Sequence, residues 1–300
     1  MNLNLLIYKK KTALRHRLEK HQKLHKLTTS LYLKYCSATG FLHLLPDFYI
    51  IGFVKCGTTS MYEYLMQHPY VHPPKGKEIS YFDRLYFKGI NWYKVGFPFK
   101  FSKYVYKNFR RKEFQTGDAT PQYIEHPHAL YRLKKVTPHA KFIVLLRNPI
   151  DRAFSQYNMN VKNDYEFRNF NDALKHESER IKGRYEKMER DEKYYSWDYE
   201  IFGYLEHGIY VNKLKRWMDV FSKEQFMIIQ TEEFLRNTSE IYQQVLEFLG
   251  LTKWPLEEYT LYKKRKYKEK MHPDLRKKLG EYFRPHNERL YELIGRKFDW

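Results

Sequence analysis

A chain of 300 residues with 42% hydrophobic content is long enough for one large α/β domain or two small ones, and apolar enough to bury a core, which excludes a disordered chain. Fifty-five Lys and Arg against 35 Asp and Glu leave a net charge of +20, which attracts polyanions, anionic membranes or an anionic small molecule. No basic recognition helix, zinc-ligand array or aromatic ribonucleoprotein strand accompanies this charge, so nucleic acid is not expected; Cys36 and Cys56 are too few for a disulfide framework or a metal cluster, and fit a reducing compartment.

Residues 1–46 stand apart from the rest. Lys9, Lys10, Lys11, Arg15, Arg17, Lys20, Lys23 and Lys26 accompany leucines at 14, 18, 24, 27 and 31. The spacing predicts a basic amphipathic helix, either packed on its own domain with a solvated basic face or docked on a membrane surface or partner. Apolar runs such as Phe142 to Leu146 fall far short of the ~20 residues of a membrane helix, and no apolar core of signal-peptide length opens the chain. The expectation is a cytoplasmic protein, with peripheral membrane contact through residues 1–46 left open, and a main domain covering 47–300.

Phe48-Tyr49-Ile50-Ile51-Gly52-Phe53 reads as a strand, followed by a tight polar loop and an apolar-periodic helix from Ser60 to Met66. Lys141 to Leu146 reads as a second strand; Arg147-Asn148-Pro149 then leads into a helix from Asp151 to about Val161, with Pro149 in its first turn, where a missing N–H costs nothing. A third strand, Phe226 to Gln230, lies between helices near Val211 to Phe221 and Ser239 to Leu249, the latter closed by Gly250. Residues 162–200 show no clear period and read as mixed helix and loop. Strands separated by helices predict an α/β fold, a central parallel sheet flanked by helices with ligands at the carboxyl ends of its strands.

Gly52-Phe-Val-Lys55-Cys56-Gly57-Thr58-Thr59-Ser60 joins strand to helix, so its backbone N–H groups and the helix N-terminus form an anion cradle. The glycine spacing is that of a nucleoside-triphosphatase loop, but Thr58 stands where that loop has Lys, and the lysine has moved inside as Lys55. A triphosphatase needs that Lys and a Mg²⁺ held by a carboxylate. A 5′-phosphosulfate is shorter and carries less charge, and Lys55 is placed to neutralise the oxygen released as a sulfur–oxygen bond breaks. Arg147 at a strand end and Ser155 on the next helix can converge on a second phosphate; read singly, an ion pair and a surface serine serve as well.

Together these segments carry a resemblance. Lys55-Cys-Gly-Thr-Thr-Ser60 looks like the 5′-phosphosulfate loop, and Val144-Leu-Leu-Arg-Asn-Pro-Ile-Asp-Arg-Ala-Phe-Ser155 like the 3′-phosphate segment, of the sulfotransferases that use 3′-phosphoadenosine 5′-phosphosulfate (PAPS). The resemblance runs from about Phe48 to Trp300 and is nearest the heparan sulfate glucosaminyl O- and N-sulfotransferases, through Lys77 to Asp83, Lys88 to Tyr93, Thr120 to Tyr123, Gly208 to Tyr210 with Trp217, and Tyr282 to Asn287. It implies the P-loop-like sulfotransferase fold, PAPS as donor without a metal, Lys55 through Ser60 with Arg147, Ser155, Lys268 and Lys270 as the nucleotide site, Glu78 as general base beside Lys55, and Asp83 as a substrate or orienting residue. Without the resemblance, Glu78 reads as a solvated loop carboxylate and residues 264–270 as a solvated charge run. A base of this kind is expected in a partly buried site, where a raised pKa suits proton abstraction.

Three departures separate the chain from the glucosaminyl enzymes. Ala119, preceded by Asp118, stands where they have Lys before Thr-Pro; Ser80 stands where several have His; and no cysteine beyond Cys56 closes their disulfide loop. The expected activity is sulfuryl transfer to a hydroxyl or amine of a carbohydrate or glycoconjugate. The alternatives are a P-loop kinase or triphosphatase and a non-catalytic basic protein that holds polyanions.

Overall fold

Four strands, β1 (Phe48–Gly52), β2 (Gly117–Ala119), β3 (Lys141–Leu146) and β4 (Phe226–Gln230), pair in the order β2-β1-β3-β4, all parallel. The computed structural model describes residues 28–260 and 271–300. β1 is buried at all five positions and β3 at all but Lys141, so continuous apolar runs rather than alternating ones mark strands covered on both faces. Parallel pairing puts every carboxyl end on one edge. The chain leaves β1 to one side and then crosses to β3 on the other, so the reversal of strand order falls at the end of β1, where open α/β sheets take ligands.

The helices used below are α1 (Thr58–Met66), α2 (Lys100–Asn108), α3 (Pro149–Lys162), α4 (Tyr210–Met218), α5 (Thr238–Leu249) and α6 (Pro273–Ile294). α3 begins as its sequence predicts: Pro149 is the first helical residue, and the Asn148 side chain accepts from the N–H of Ile150 at 3.0 Å and Asp151 at 3.4 Å. α5 ends at Gly250, whose φ of 77° is the left-handed conformation glycine adopts without strain. α1 opens two residues before its apolar period, because Thr58 and Thr59 form its first turn at the loop.

Two features depart from the sequence reading, and a third segment, residues 162–200, folds as the mixed helix and loop expected of it. β2 is a strand only because it pairs with the edge of β1; Gly-Asp-Ala has no strand propensity of its own. α6 is a 22-residue helix interrupted by Pro285, in a segment too polar to announce itself. Residues 162–200 fold as short helices, Phe170–Lys175, Glu177–Ile181, Arg184–Arg190 and Trp197–Phe202, organised by buried carboxylates. Glu166 accepts from Arg180 and from the N–H groups of Phe167 and Arg168, and Glu177 from the N–H groups of Leu205 and Glu206 at 2.8–2.9 Å. Polar anchoring replaces apolar periodicity there.

The predicted N-terminal helix lies mostly outside the described residues. Residues 28–39 are helical, and of these only Cys36 is buried; Leu31 is 57% exposed, so this part of the leucine series does not pack on the domain.

Gly117 is required by close approach. A Cβ there would stand 2.2 Å from the ring of the buried Phe48. Gly117→Ala is expected to cost about 1–3 kcal/mol of unfolding free energy, as overpacking does, read as a lower urea midpoint. Gly76→Ala, which meets nothing within 4 Å, should change stability by less than about 0.5 kcal/mol.

Candidate active site

The loop from Phe53 to Gly57 continues β1 past the sheet and is fixed from three sides. Phe53 N–H donates to Leu145 O at 2.9 Å, extending the β1–β3 pairing; Cys56 N–H donates to Phe53 O at 3.1 Å; and Thr231 Oγ1, just after β4, donates to Cys56 O at 2.7 Å. Lys55 and Gly57 both take positive φ, 71° and 88°, which curls the loop around the start of α1. Among the described residues no side chain caps α1, so its first N–H groups and the helix dipole suit an anion.

Arg147 reaches this loop. At the end of β3 its Nη1 donates to Lys55 O at 3.4 Å, while its own carbonyl accepts from Tyr210 Oη of α4 at 2.8 Å. No carboxylate bridges Arg147 among the described residues, so its charge is not spent on an ion pair. Lys55 Nζ lies 3.9 Å from Met159 Sδ, on the helix that carries Ser155. The loop and the 147–155 segment thus share one edge, and Thr58, Ser60 and Ser155 are all buried there. Arg152 is different: fully buried, it donates to Gln156 and to Tyr204 O and has a structural role. Cys56 also faces inward. Burial pushes its thiol up to about 11 and its N–H is used inside the loop, so it shapes the cradle rather than lining it. Lys268 and Lys270 lie outside the described residues.

Glu78 stands at the opposite lip. Its N–H donates to Ala119 O at 3.2 Å, at the end of β2, and the neighbouring Lys77 donates to Thr59 Oγ1 in the first turn of α1 at 2.7 Å. The Glu78 side chain is 45% exposed with Lys77 Nζ at 3.7 Å, so the partly buried setting expected for it is not found. Asp83 is the buried acid of that segment, 6% exposed; Oδ1 accepts from Arg84 N–H at 2.8 Å, Oδ2 has no partner, and burial lifts its carboxyl to about 7. It borders a cavity with Val54 of the loop, Gln122 and Glu200.

Two polar clusters are not legible as sites in the sequence. Asp118, fully buried, accepts from Tyr93 Oη at 2.8 Å, Tyr123 Oη at 2.9 Å and Thr120 Oγ1 at 2.8 Å; burial raises its pKa, and the three hydroxyls work against that. Tyr123 Oη in turn accepts from Tyr81 N–H at 3.0 Å, so Asp118 anchors the stretch that carries Glu78. The only signal was the clustering of these residues in short motifs. The second cluster is Glu125, with His207 Nδ1 at 3.1 Å and Lys213 Nζ at 3.7 Å; burial alone would raise its carboxyl, but His207 and the Lys213 ammonium hold it down at about 2.

A parallel sheet with a helix N-terminus, a loop lysine and a strand-end arginine on one edge defines an α/β protein whose carboxyl edge has the character of an anion site. A family model described as the sulfotransferase domain matches residues 45–289. The chain is 26% identical over 87% of its length to the membrane-associated sulfotransferase kil1 of Dictyostelium discoideum, covering 68% of that protein. It is 26% identical over 85% of its length to heparan sulfate glucosamine 3-O-sulfotransferase 3B1 of Homo sapiens, covering 65% of it, so the chain spans about two thirds of the length of these relatives. A sulfotransferase structure from Alicyclobacillus acidocaldarius is 30% identical and superposes with a TM-score of 0.64, covering 85% of this chain and 98% of that one. The chain belongs to the sulfotransferase family, enzymes that transfer a sulfuryl group to an acceptor.

The buried carboxyl of Asp83 gives a pH signature. Because its folded pKa is raised, the folded state holds a proton that the unfolded chain releases above about 4. This contribution to stability is present below that pH and is lost as pH rises through about 7, by up to about 4 kcal/mol for a shift of some three units. Asp83→Asn, which stays neutral, is expected to gain stability relative to the parent protein between pH 5 and pH 8. Urea midpoints of the two proteins across this range check it.

Proposed function

We propose that this enzyme moves the sulfuryl group of PAPS to a hydroxyl or amine of a carbohydrate or glycoconjugate acceptor by direct in-line transfer. The observation that carries the reading is the convergence of the Lys55 loop and Arg147 on one edge, with Arg147 Nη1 3.4 Å from Lys55 O. Two anion-binding elements so joined suit a donor with phosphates at both ends. The uncapped start of α1, with Thr58, Thr59 and Ser60, suits the 5′-phosphosulfate. Arg147 and Ser155, with Lys268 and Lys270 by resemblance, are assigned to the 3′-phosphate.

In the proposed reaction Glu78 takes the acceptor proton, the acceptor oxygen or nitrogen forms a bond to sulfur, and the sulfur–oxygen bond to the 5′-phosphate breaks, leaving 3′-phosphoadenosine 5′-phosphate. Lys55 and the N–H groups at α1 stabilise the charge that appears on the leaving phosphate. Holding the nucleotide by its distant phosphate supplies binding energy away from sulfur. The lip position of Glu78, tied to the cradle through Lys77 and Thr59, supports its role as base. A carbohydrate acceptor is supported by the name of the human relative, whereas Ala119 in place of a cation argues that the acceptor is held differently here.

Glu78→Gln is expected to lower kcat by about 10²- to 10⁴-fold while leaving the Kd for 3′-phosphoadenosine 5′-phosphate within about twofold. Unchanged turnover would remove Glu78 as base. Arg147→Ala should weaken that nucleotide about 10- to 100-fold by calorimetry, the value of a lost charge-assisted contact. Tighter binding of ATP with Mg²⁺ than of 3′-phosphoadenosine 5′-phosphate would overturn the choice of donor.

A further inference from the structure

The amino edge of the sheet carries a surface that sulfuryl transfer does not use. α2 has no buried residue, and Phe101, Tyr104 and Phe109 are 71%, 56% and 74% exposed. Their rings follow one another at 6.5 and 6.0 Å as a continuous aromatic ridge. Phe99, at the start of α2, packs at a tilt against the His43 ring with centroids 4.1 Å apart, and Leu44 N–H donates to Pro98 O at 2.9 Å, which joins the ridge to the turn Gly40–Leu42. There Phe41 and Leu42 are exposed, as are Leu31, Tyr32 and Tyr35 on the helical stretch before them. Soluble proteins seldom leave so many apolar side chains together without a partner.

The charge around the ridge is predominantly positive, with Asp47 and Glu113 the acids beside it. Residues 99–112 contain Lys100, Lys103, Lys107, Arg110, Arg111 and Lys112 and no acid. Lys103 pairs with Asp47, which also accepts from Thr116 N–H at 3.0 Å. Asp47 immediately precedes β1 and Thr116 precedes β2, so the ridge sits at the amino ends of the strands, opposite the edge that carries the Lys55 loop. Aromatic rings flanked by long cations match the boundary of an anionic bilayer, where rings enter the headgroup layer and ammonium and guanidinium groups meet lipid phosphates. A second copy of the chain would bring like charges together. Among the described residues no helix is long and apolar enough to cross a membrane.

We propose that this edge docks on an anionic lipid bilayer through Phe101, Tyr104 and Phe109 with the surrounding lysines and arginines, leaving the catalytic edge turned away from the membrane. The test is sedimentation of the full chain with vesicles of phosphatidylcholine alone and of phosphatidylcholine with about 30% phosphatidylserine, at low and physiological salt. The parent protein is expected to pellet with the phosphatidylserine vesicles. The triple variant Phe101→Ser, Tyr104→Ser, Phe109→Ser keeps the net charge and removes only exposed rings, so its folding and nucleotide affinity should be retained while its vesicle partition falls at least about tenfold. Phe167→Ser, which removes an 85% exposed ring from another segment, should change it less than about twofold. Equal pelleting of the triple variant and the parent, or no pelleting of the parent at low salt, would overturn the proposal. So would self-association abolished by the triple variant in a protein that ignores vesicles, which would assign the surface to a second copy.

Discussion

The parallel pairing of β1 with β3 is the constraint from which the site follows. Parallel neighbours end on the same edge, so the loop after β1 and the arginine after β3 have to meet, and the bond from Phe53 N–H to Leu145 O carries the pairing one residue beyond the strand to hold the loop there. Other contacts refine that placement. Tyr210 from α4 closes on the Arg147 carbonyl, Thr231 after β4 closes on the Cys56 carbonyl, and at Gly208, two residues before Tyr210, a Cβ would stand 2.8 Å from the Phe283 ring of α6. Motifs far apart in the chain therefore buttress one cradle, and several act by packing alone.

A buried carboxylate organises the other lip. Taking Asp118 out of water carries a penalty of several kcal/mol, which the three hydroxyl donors offset, and such a network fixes its surroundings because a half-made version is costly. What it fixes is the stretch around Glu78. Glu78 and Ser80 both take positive φ, 57° and 53°, a strained conformation for residues with a Cβ, and they are held by Glu78 N–H to Ala119 O and by Tyr81 N–H to the same Tyr123 that binds Asp118. An exposed carboxylate at the tip of a strained turn anchored in a rigid interior is suited to meeting an acceptor without the turn itself giving way.

The molecule is polar in a geometric sense. Its carboxyl edge gathers backbone N–H groups, a loop lysine and the strand-end arginine, while its amino edge gathers exposed rings among cations. In the two roles proposed above the net charge of +20 would act through different physics: at the site a few positioned donors at short range, and at the amino edge many loosely placed cations over a Debye length.

The sequence by itself determined β1, β3, β4 and the helices that follow them, because buried parallel strands are continuous apolar runs and because Asn148, Pro149 and Gly250 punctuate helix ends by local backbone preference. It also marked Lys55, Thr58, Arg147 and Ser155, since a phosphate cradle is written in consecutive residues. Tertiary structure alone decided that Gly117–Ala119 is a strand, that Arg152 and Cys56 are interior supports, that Asp83 is buried while Glu78 is exposed, and that Asp118 draws on Tyr93, Thr120 and Tyr123. These outcomes depend on which side chains meet across separations of up to 175 residues along the chain, and burial and hydrogen-bond closure are properties of the packed chain that no local pattern encodes.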